Sequence, residues 1–402
     1  MIPKPSNTLL GLTFQELSDI VVGSGQPAYR ARQLFQAVYA ERVENVDEVT
    51  TLPLAFRQGL SAQGIGVGLP KVENKFTSSD GTVRYLICFA DGQSVETVWM
   101  PEGDGGEAGD GSEAGEEVAG GLADEVVAGV PDGGRGWRRA TICVSSQVGC
   151  AVDCQFCLTA LLGLKRNLSA GEIVGQVCAV LNDVSSGEVS RGGKRIAPPE
   201  DRINLVFMGM GEPLLNYDNF MKAVRLLVEG CGIPESRMTV STAGVVPRIR
   251  DLGAEPVRPK LAISLNASND ETRARIMPID RKWNLAMLTE AAREFPLRKR
   301  EQLTFEYVLL GGVNDAPENA REVLNLVRGI RAKVNLIAWN PGPGVAFVMP
   351  EPERVTAFQN ILIAGGVPAF IRKPRGRDIY AACGQLKRTV SASGAGSALV
   401  EL

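Results

Sequence analysis

Four of the eight cysteines fall within fifteen residues, CVSSQVGCAVDCQFC at 143–157. Cys150, Cys154 and Cys157 have the spacing CxxxCxxC and follow a β-branched run, ATICVSSQ, that reads as a strand. Thiols at this density suggest a structural zinc clip, a disulfide framework, or a metal centre with an open coordination position. A structural zinc site takes four ligands, usually from paired CxxC motifs or histidines. This chain has no histidine and no second CxxC. Disulfide frameworks are dense in short secreted chains, whereas here eight cysteines are shared by 402 residues. Three thiolates can instead hold three irons of a four-iron cluster and leave the fourth free to bind a small molecule.

Such a loop needs a rigid frame. After residue 137, short β-branched runs alternate with amphipathic stretches. The strand candidates are ATICVSSQ, INLVFMGM, RMTVSTAG, KLAISLNA, LTFEYVLL, KVNLIAWN and AFIRK. Helices are expected from near Ser169, Tyr217, Val246, Asp270, Leu285, Glu318 and Glu353, and Ser169-Ala-Gly-Glu172 has the pattern of a capping box. This alternation predicts an α/β fold with a parallel sheet, open or curled as an incomplete barrel, with functional residues at the C-terminal ends of its strands. Gly211 and Glu212 in MGMGEP, Ser241 in STAG, Ser264, Leu265 and Asn266 in SLNA, and Asn340 in WNP fall at such ends.

The remaining segments divide by pattern. Residues 1–70 read as a small helical domain, in which Arg30, Arg32 and Arg42 lie on or beside one helix. Residues 71–101 switch to period two around Asp80-Gly81 and Asp91-Gly92, which predicts an antiparallel hairpin extension. Residues 102–136 hold twelve glycines and ten Asp/Glu against one Arg, a solvated, mobile insert of charge -9. The rest then carries 42 basic against 36 acidic residues, or +6, compatible with a polyanionic partner. Residues 137–388 form the main domain and 389–402 a frayed tail. Composition is that of a soluble globular protein, and no apolar run is long enough to span a membrane. The N-terminal residues lack a signal or transit layout, so the expected location is the cytoplasm, or an organelle if a transit peptide has been removed.

The motifs CVSSQVGCAVDCQFC, MGMGEPLLNYDN, STAGVVPRI, SLNA with NDETRARIMPI, WNPGPG and RGRDIYAACGQL, in this order, resemble the RlmN/Cfr family of radical S-adenosylmethionine (SAM) RNA adenine methyltransferases. The resemblance runs over nearly the whole chain except the acidic insert and the tail, and is strongest to the RlmN branch. It implies an incomplete (β/α)6-type radical SAM barrel, a [4Fe-4S] cluster on Cys150, Cys154 and Cys157, and two SAM molecules per turnover, bound through Gly211, Glu212, Ser241, Ser264, Leu265, Asn266 and Asn340. It further implies that Cys383 receives a methyl group, that Cys143 later closes a transient disulfide with it, and that Glu96 is the proton acceptor. The implied substrate is 23S rRNA, with tRNA as a second, and the implied partner an external electron donor such as flavodoxin or ferredoxin; a monomer is expected.

Chemically the scheme is coherent. Carbon 2 of adenine is too poor a nucleophile to attack SAM, so the carbon must arrive as a radical, and a thiolate is the best methyl acceptor available. Cys88, Cys178 and Cys231 have no companions and are assigned to packing. Lys165, Arg166, Arg372, Lys373, Arg375 and Arg377 flank the two cysteine loops and could hold phosphate. One departure stands out: Asn266 replaces a histidine common in the family, and its amide still offers a donor and an acceptor to a ribose hydroxyl. Two alternatives stay open at this level, a Cfr-type C8 methyltransferase built from the same parts and a non-catalytic iron-sulfur RNA-binding protein.

Overall fold

Ten strands lie in chain order across one open sheet in the computed structural model, which describes residues 7–101, 139–186, 190–191, 194–195, 202–342, 344–382 and 384–386. The acidic segment 102–136, the tail 389–402 and Cys383 lie outside the described residues. The strands are β1 (Lys71–Thr77), β2 (Val83–Cys88), β3 (Ser94–Pro101), β4 (Ala140–Cys143), β5 (Ile203–Phe207), β6 (Met238–Thr242), β7 (Lys260–Ser264), β8 (Leu303–Leu309), β9 (Ala332–Ala338) and β10 (Ala369–Ile371). From β4 to β10 every neighbour pair is parallel. Helices α4 (Ala170–Ser185), α5 (Tyr217–Glu229), α6 (Val246–Ala254), α7 (Asp270–Ile276), α8 (Leu285–Glu294), α9 (Pro317–Val327) and α10 (Pro352–Ala364) fill the crossovers, as the alternation predicts. Before them, α1 (Phe14–Gly23), α2 (Tyr29–Tyr39) and α3 (Leu54–Ala62) make the N-terminal helical region.

The antiparallel hairpin extension expected over residues 71–101 is formed by β1, β2 and β3. Strand β3 pairs antiparallel with β4, with Val98 opposite Cys143, so the hairpins continue the main sheet. A free β4 edge would present unpaired backbone groups, and this pairing covers it. On the other side, the segment after β10 reaches back to the β1–β2 turn. Ser78 Oγ donates to Asp378 Oδ1 at 2.5 Å and Gly376 N donates to Asp80 Oδ2 at 3.0 Å. The open side of the sheet is therefore strapped by the chain that leads into the Cys383 loop. Pro101, at the end of β3, is the register partner of Ala140 at the N-terminal end of β4.

Period-two alternation in the strands sorts side chains to two different surroundings. In β8, Leu303, Phe305, Tyr307 and Leu309 are fully buried toward the helices, where Tyr307 meets Phe358 of α10 with ring centroids 5.0 Å apart. Thr304 and Glu306 face the concave side instead, which carries much of the polarity of the sheet. Helix α4 opens with the expected capping box: Ser169 and Glu172 exchange backbone-to-side-chain bonds, and Glu172 also takes a forked pair of hydrogen bonds from Arg166. The N-terminal helices share the main core. Tyr39 Oη donates to Leu12 O at 2.6 Å and accepts from Gly11 N at 3.0 Å, which fixes the entry of α1. Removing that hydroxyl leaves one donor and one acceptor without their partner, so Tyr39→Phe is expected to lower stability by about 1–2 kcal/mol, read as a lower urea midpoint at unchanged slope.

Candidate active site

A cavity of about 170 Å³ opens at the C-terminal ends of the parallel strands and is lined by Cys150, Cys154 and Cys157 on one wall and by Gly211, Glu212, Ser241, Ser264, Asn266 and Asn340 on the others. Its position follows from register. Ser264 is opposite Glu306, and Glu306 opposite Asn335, so these side chains project to the same concave face. Ser241 Oγ and Ser264 Oγ are 3.3 Å apart.

The cysteine loop is fixed by bonds from distant segments. Gln155 N donates to Ile276 O at 2.9 Å, and Trp339 Nε1 donates to Phe156 O at 3.1 Å. Leu158 N donates to Gly384 O at 2.8 Å, and Thr159 Oγ1 donates to Leu386 O at 2.8 Å. Gly384 also lines the cavity, which brings the residue next to Cys383 to the cysteine loop. The loop turns tightly at Gly149, whose φ is +77° and where an added Cβ would lie 1.7 Å from Gly163 O.

Glu212 is 3% exposed. One carboxylate oxygen accepts from Ala243 N at 2.7 Å and the other from Leu214 N at 3.0 Å, which joins the ends of β5 and β6. Burial pushes its pKa up to about 7, against these two bonds. Gly211 precedes it with φ +99°, and an added Cβ would lie 2.5 Å from the Gln147 side chain, so only glycine fits the turn. Gln147 in turn accepts from Glu212 N at 2.9 Å.

Burial also pushes the thiols up, Cys150 to about 12, with Cys154 and Cys157 shifted in the same direction. Protein groups alone hold these thiols in the neutral form; a cationic metal core supplies what thiolates here would need. Among the described residues, no three Cys, Asp or Glu side chains converge to hold one metal ion. Three thiols around one cavity fit a multi-iron core better than a single zinc.

Other predicted residues differ in placement. Leu265 is fully buried in the main core and is not among the lining residues. Asn266 lines the cavity, but its amide is already engaged: Oδ1 accepts from Val308 N at 2.8 Å and Nδ2 reaches Met277 Sδ at 3.2 Å. Its φ is +55°, a left-handed conformation that Asn tolerates better than most residues. Glu96 and Cys143 are not among the lining residues. Both are buried, and Cys143 opposite Val98 lies on the same sheet face as Glu96. Glu96 is no exposed strand carboxylate, for it pairs with Arg84, which is itself buried.

Two basic candidates have structural partners. Arg166 joins Asp91 at 2.6 Å and Glu172 at 2.7 Å, and Arg42 Nε donates to Asn182 Oδ1 at 3.0 Å. Sequence reasoning missed Glu306, Trp339 and Arg273, although each sits inside a motif it had singled out; their contacts depend on long-range register.

The profile described as the radical SAM superfamily matches residues 144–324, over the sheet and the cysteine loop, and the one described as the ribosomal RNA large subunit methyltransferase N-terminal domain matches residues 7–65. A "Probable dual-specificity RNA methyltransferase RlmN" of Koribacter versatilis is 64% identical over 365 residues, 91% of this chain and 97% of the relative. This chain belongs to the RlmN family. A second RlmN-family relative, the "Dual-specificity RNA methyltransferase RlmN" of Syntrophobacter fumaroxidans, is 43% identical over 93% of this chain and 96% of its own length. The solved structure of a radical SAM methyltransferase from Sphaerobacter thermophilus is 39% identical and superposes with a TM-score of 0.78 over 94% of this chain and 99% of its own. This RlmN-family chain is accordingly a radical SAM methyltransferase, with the [4Fe-4S] cluster and SAM that the superfamily implies. Among the described residues, no helix is long and apolar enough to cross a membrane.

With its pKa near 7, Glu212 is ionised above that pH and neutral below it. If it receives the SAM ammonium, affinity falls as pH drops through about 7. Calorimetric titration of SAM from pH 8 to pH 6 should therefore show weakening that Glu212→Gln, already neutral, no longer shows.

Proposed function

We propose that this enzyme methylates carbon 2 of an adenosine in 23S rRNA, and also in tRNA, through a methyl-cysteine and a covalent RNA adduct. The observation that carries this reading is the convergence on one cavity of three thiols, the buried Glu212 and the backbone beside Cys383. The names of the RlmN-family relatives support a dual RNA substrate. In this reading Cys150, Cys154 and Cys157 hold the cluster. Gly211 and Glu212 receive the SAM ammonium, and Ser241, Ser264, Asn340 and the backbone of Leu265 and Asn266 receive its carboxylate and ribose.

The cluster and SAM, when bound, supply the radical that removes a hydrogen atom from an unactivated methyl group. Every other part belongs to the chain. Cys383 takes a methyl from one SAM, forming an S–C bond as S-adenosylhomocysteine leaves and its thiol proton is lost. After a second SAM has served the hydrogen abstraction, the S–CH2 carbon bonds to adenine carbon 2. Glu96 takes the proton from that carbon, and the electron that the adduct gives up would return to the redox centre held by Cys150, Cys154 and Cys157. Cys143 then attacks the sulfur of Cys383, forming an S–S bond and expelling the carbon as the new methyl group with a proton from solvent. External thiol supplies the two electrons that reduce the disulfide and restore both cysteines, and an external one-electron donor, flavodoxin or ferredoxin, would prime the first SAM cleavage.

The N-terminal helices 1–70 act as an RNA-binding accessory domain on a monomeric, cytoplasmic enzyme. Exposed Lys165 and Lys373 remain candidates for phosphate contact. The test is anaerobic turnover of rRNA and tRNA fragments with reconstituted enzyme, followed by mass spectrometry that separates 2-methyladenosine from 8-methyladenosine. The expected product is the 2-isomer, with activity abolished in Cys383→Ala and a protein–RNA adduct accumulating in Cys143→Ala. A product methylated at carbon 8, or full activity in Cys383→Ala, would overturn the reading.

A further inference from the structure

Arg273 lies beneath the cavity, is fully buried, and has no role in the scheme above. Its guanidinium makes four hydrogen bonds to separate acceptors. Nε donates to Leu265 O at 2.9 Å, Nη2 to Ala243 O at 2.7 Å and to Ser264 O at 3.0 Å, and Nη1 to Asp280 Oδ1 at 3.0 Å. The three carbonyls belong to the ends of β6 and β7, next to Ser241 and Ser264. A cation gripping two strand ends this way fixes their separation, which a single ammonium could not do with one nitrogen.

The same group lies toward the cysteine loop. Cys154 packs in a cluster with Ala243, Ile276 and Met277, and the loop is bonded to the end of the helix that carries Arg273 through Gln155 N and Ile276 O at 2.9 Å. Arg273 and Ile276 both lie on α7, three residues apart, so the guanidinium sits one helical turn from the residue that holds the cysteine loop. Asp280, the carboxylate partner, is held on the Nη1 side of the guanidinium. Arg273 and Asp280 thus form a buried ion pair on the side of the strand ends where the cysteine loop is anchored.

We infer that Arg273 is a positioning residue with two effects: its fork sets the SAM-binding strand ends, and its charge favours the reduced state of the cluster bound at Cys150, Cys154 and Cys157. This inference rests on the cluster reading of the proposed function. Reduction adds negative charge to the cluster, so a fixed cation nearby stabilises the reduced form and raises its potential, and loss of the cation does the reverse. A structural role alone would alter folding or SAM affinity without giving opposite shifts in potential for the two partners.

The experiment is an EPR-monitored redox titration of the anaerobically reconstituted full chain, with SAM affinity measured in parallel. At the potential that half-reduces the wild-type cluster, Arg273→Gln should lower the reduced-to-oxidised ratio by about threefold or more, on a one-electron scale where tenfold corresponds to 59 mV. Asp280→Asn, which removes the carboxylate bonded to Arg273, should raise that ratio. Arg273→Lys keeps the charge and loses the fork, so its ratio should stay near wild type while SAM binding weakens about tenfold. If Arg273→Gln fails to fold or to take up iron, the sign of the Asp280→Asn shift decides. Unchanged ratios, or shifts of the same sign in Arg273→Gln and Asp280→Asn, would overturn the inference with the cluster reading intact. Failure of the wild-type chain to take up iron would remove the cluster reading and the inference with it.

Discussion

The peptide of Ala243 is held from both sides by buried charge. Its N–H donates to Glu212 and its C=O accepts from Arg273, both at 2.7 Å. Each charge is almost wholly removed from water, so each depends on backbone groups in place of solvent. Strand ends normally leave such groups unpaired, and here they become the ligands of side-chain ions. Substituting either ion would leave the strand-end backbone without a partner, and would leave Asp280 without its counter-charge in the case of Arg273.

The cysteine loop depends on this frame. It has little regular structure of its own, and it is anchored by single hydrogen bonds to the end of α7, to Trp339 after β9 and to the backbone around Gly384. These anchors come from points more than 100 residues distant in sequence. The arrangement ties the proposed cluster ligands to the loop that leads through Cys383, and the strap onto the β1–β2 turn ties that loop to the hairpins. Movement of one of these segments must therefore be shared by the others. The polar concave face supplies the remaining condition, since the apolar layer between sheet and helices carries the packing and leaves the inner face open to chemistry.

Glu96 and Cys143 illustrate how register distributes function. They sit on antiparallel neighbours, β3 and β4, and neither is among the residues that line the cavity. Arg84 holds the Glu96 carboxylate within the sheet, so in the proposed reaction the proton acceptor is positioned by an ion pair. Asn266 shows the opposite economy of groups. Its amide oxygen satisfies the Val308 N–H and its nitrogen faces Met277, so the residue shapes the wall more than it recognises a ligand.

Much was legible in the linear chain. Spacing and composition together favoured an open three-thiol loop over a zinc clip, because a four-ligand site needs partners that this composition lacks. Alternation of β-branched runs with amphipathic stretches predicted the parallel sheet, and the capping box at Ser169 and the Asp-Gly turns appeared where local propensity placed them. These features are local, decided within a few residues by backbone geometry and hydrogen bonding. Pairing of β3 with β4, neutralisation of Arg166 by Asp91 and Glu172, engagement of the Asn266 amide and the four-bond grip of Arg273 were not legible. Each depends on which distant groups meet and on whether water is excluded when they do. That is the physical division in this protein: residue order determined the chemistry available, and burial with register decided which charges are free to perform it.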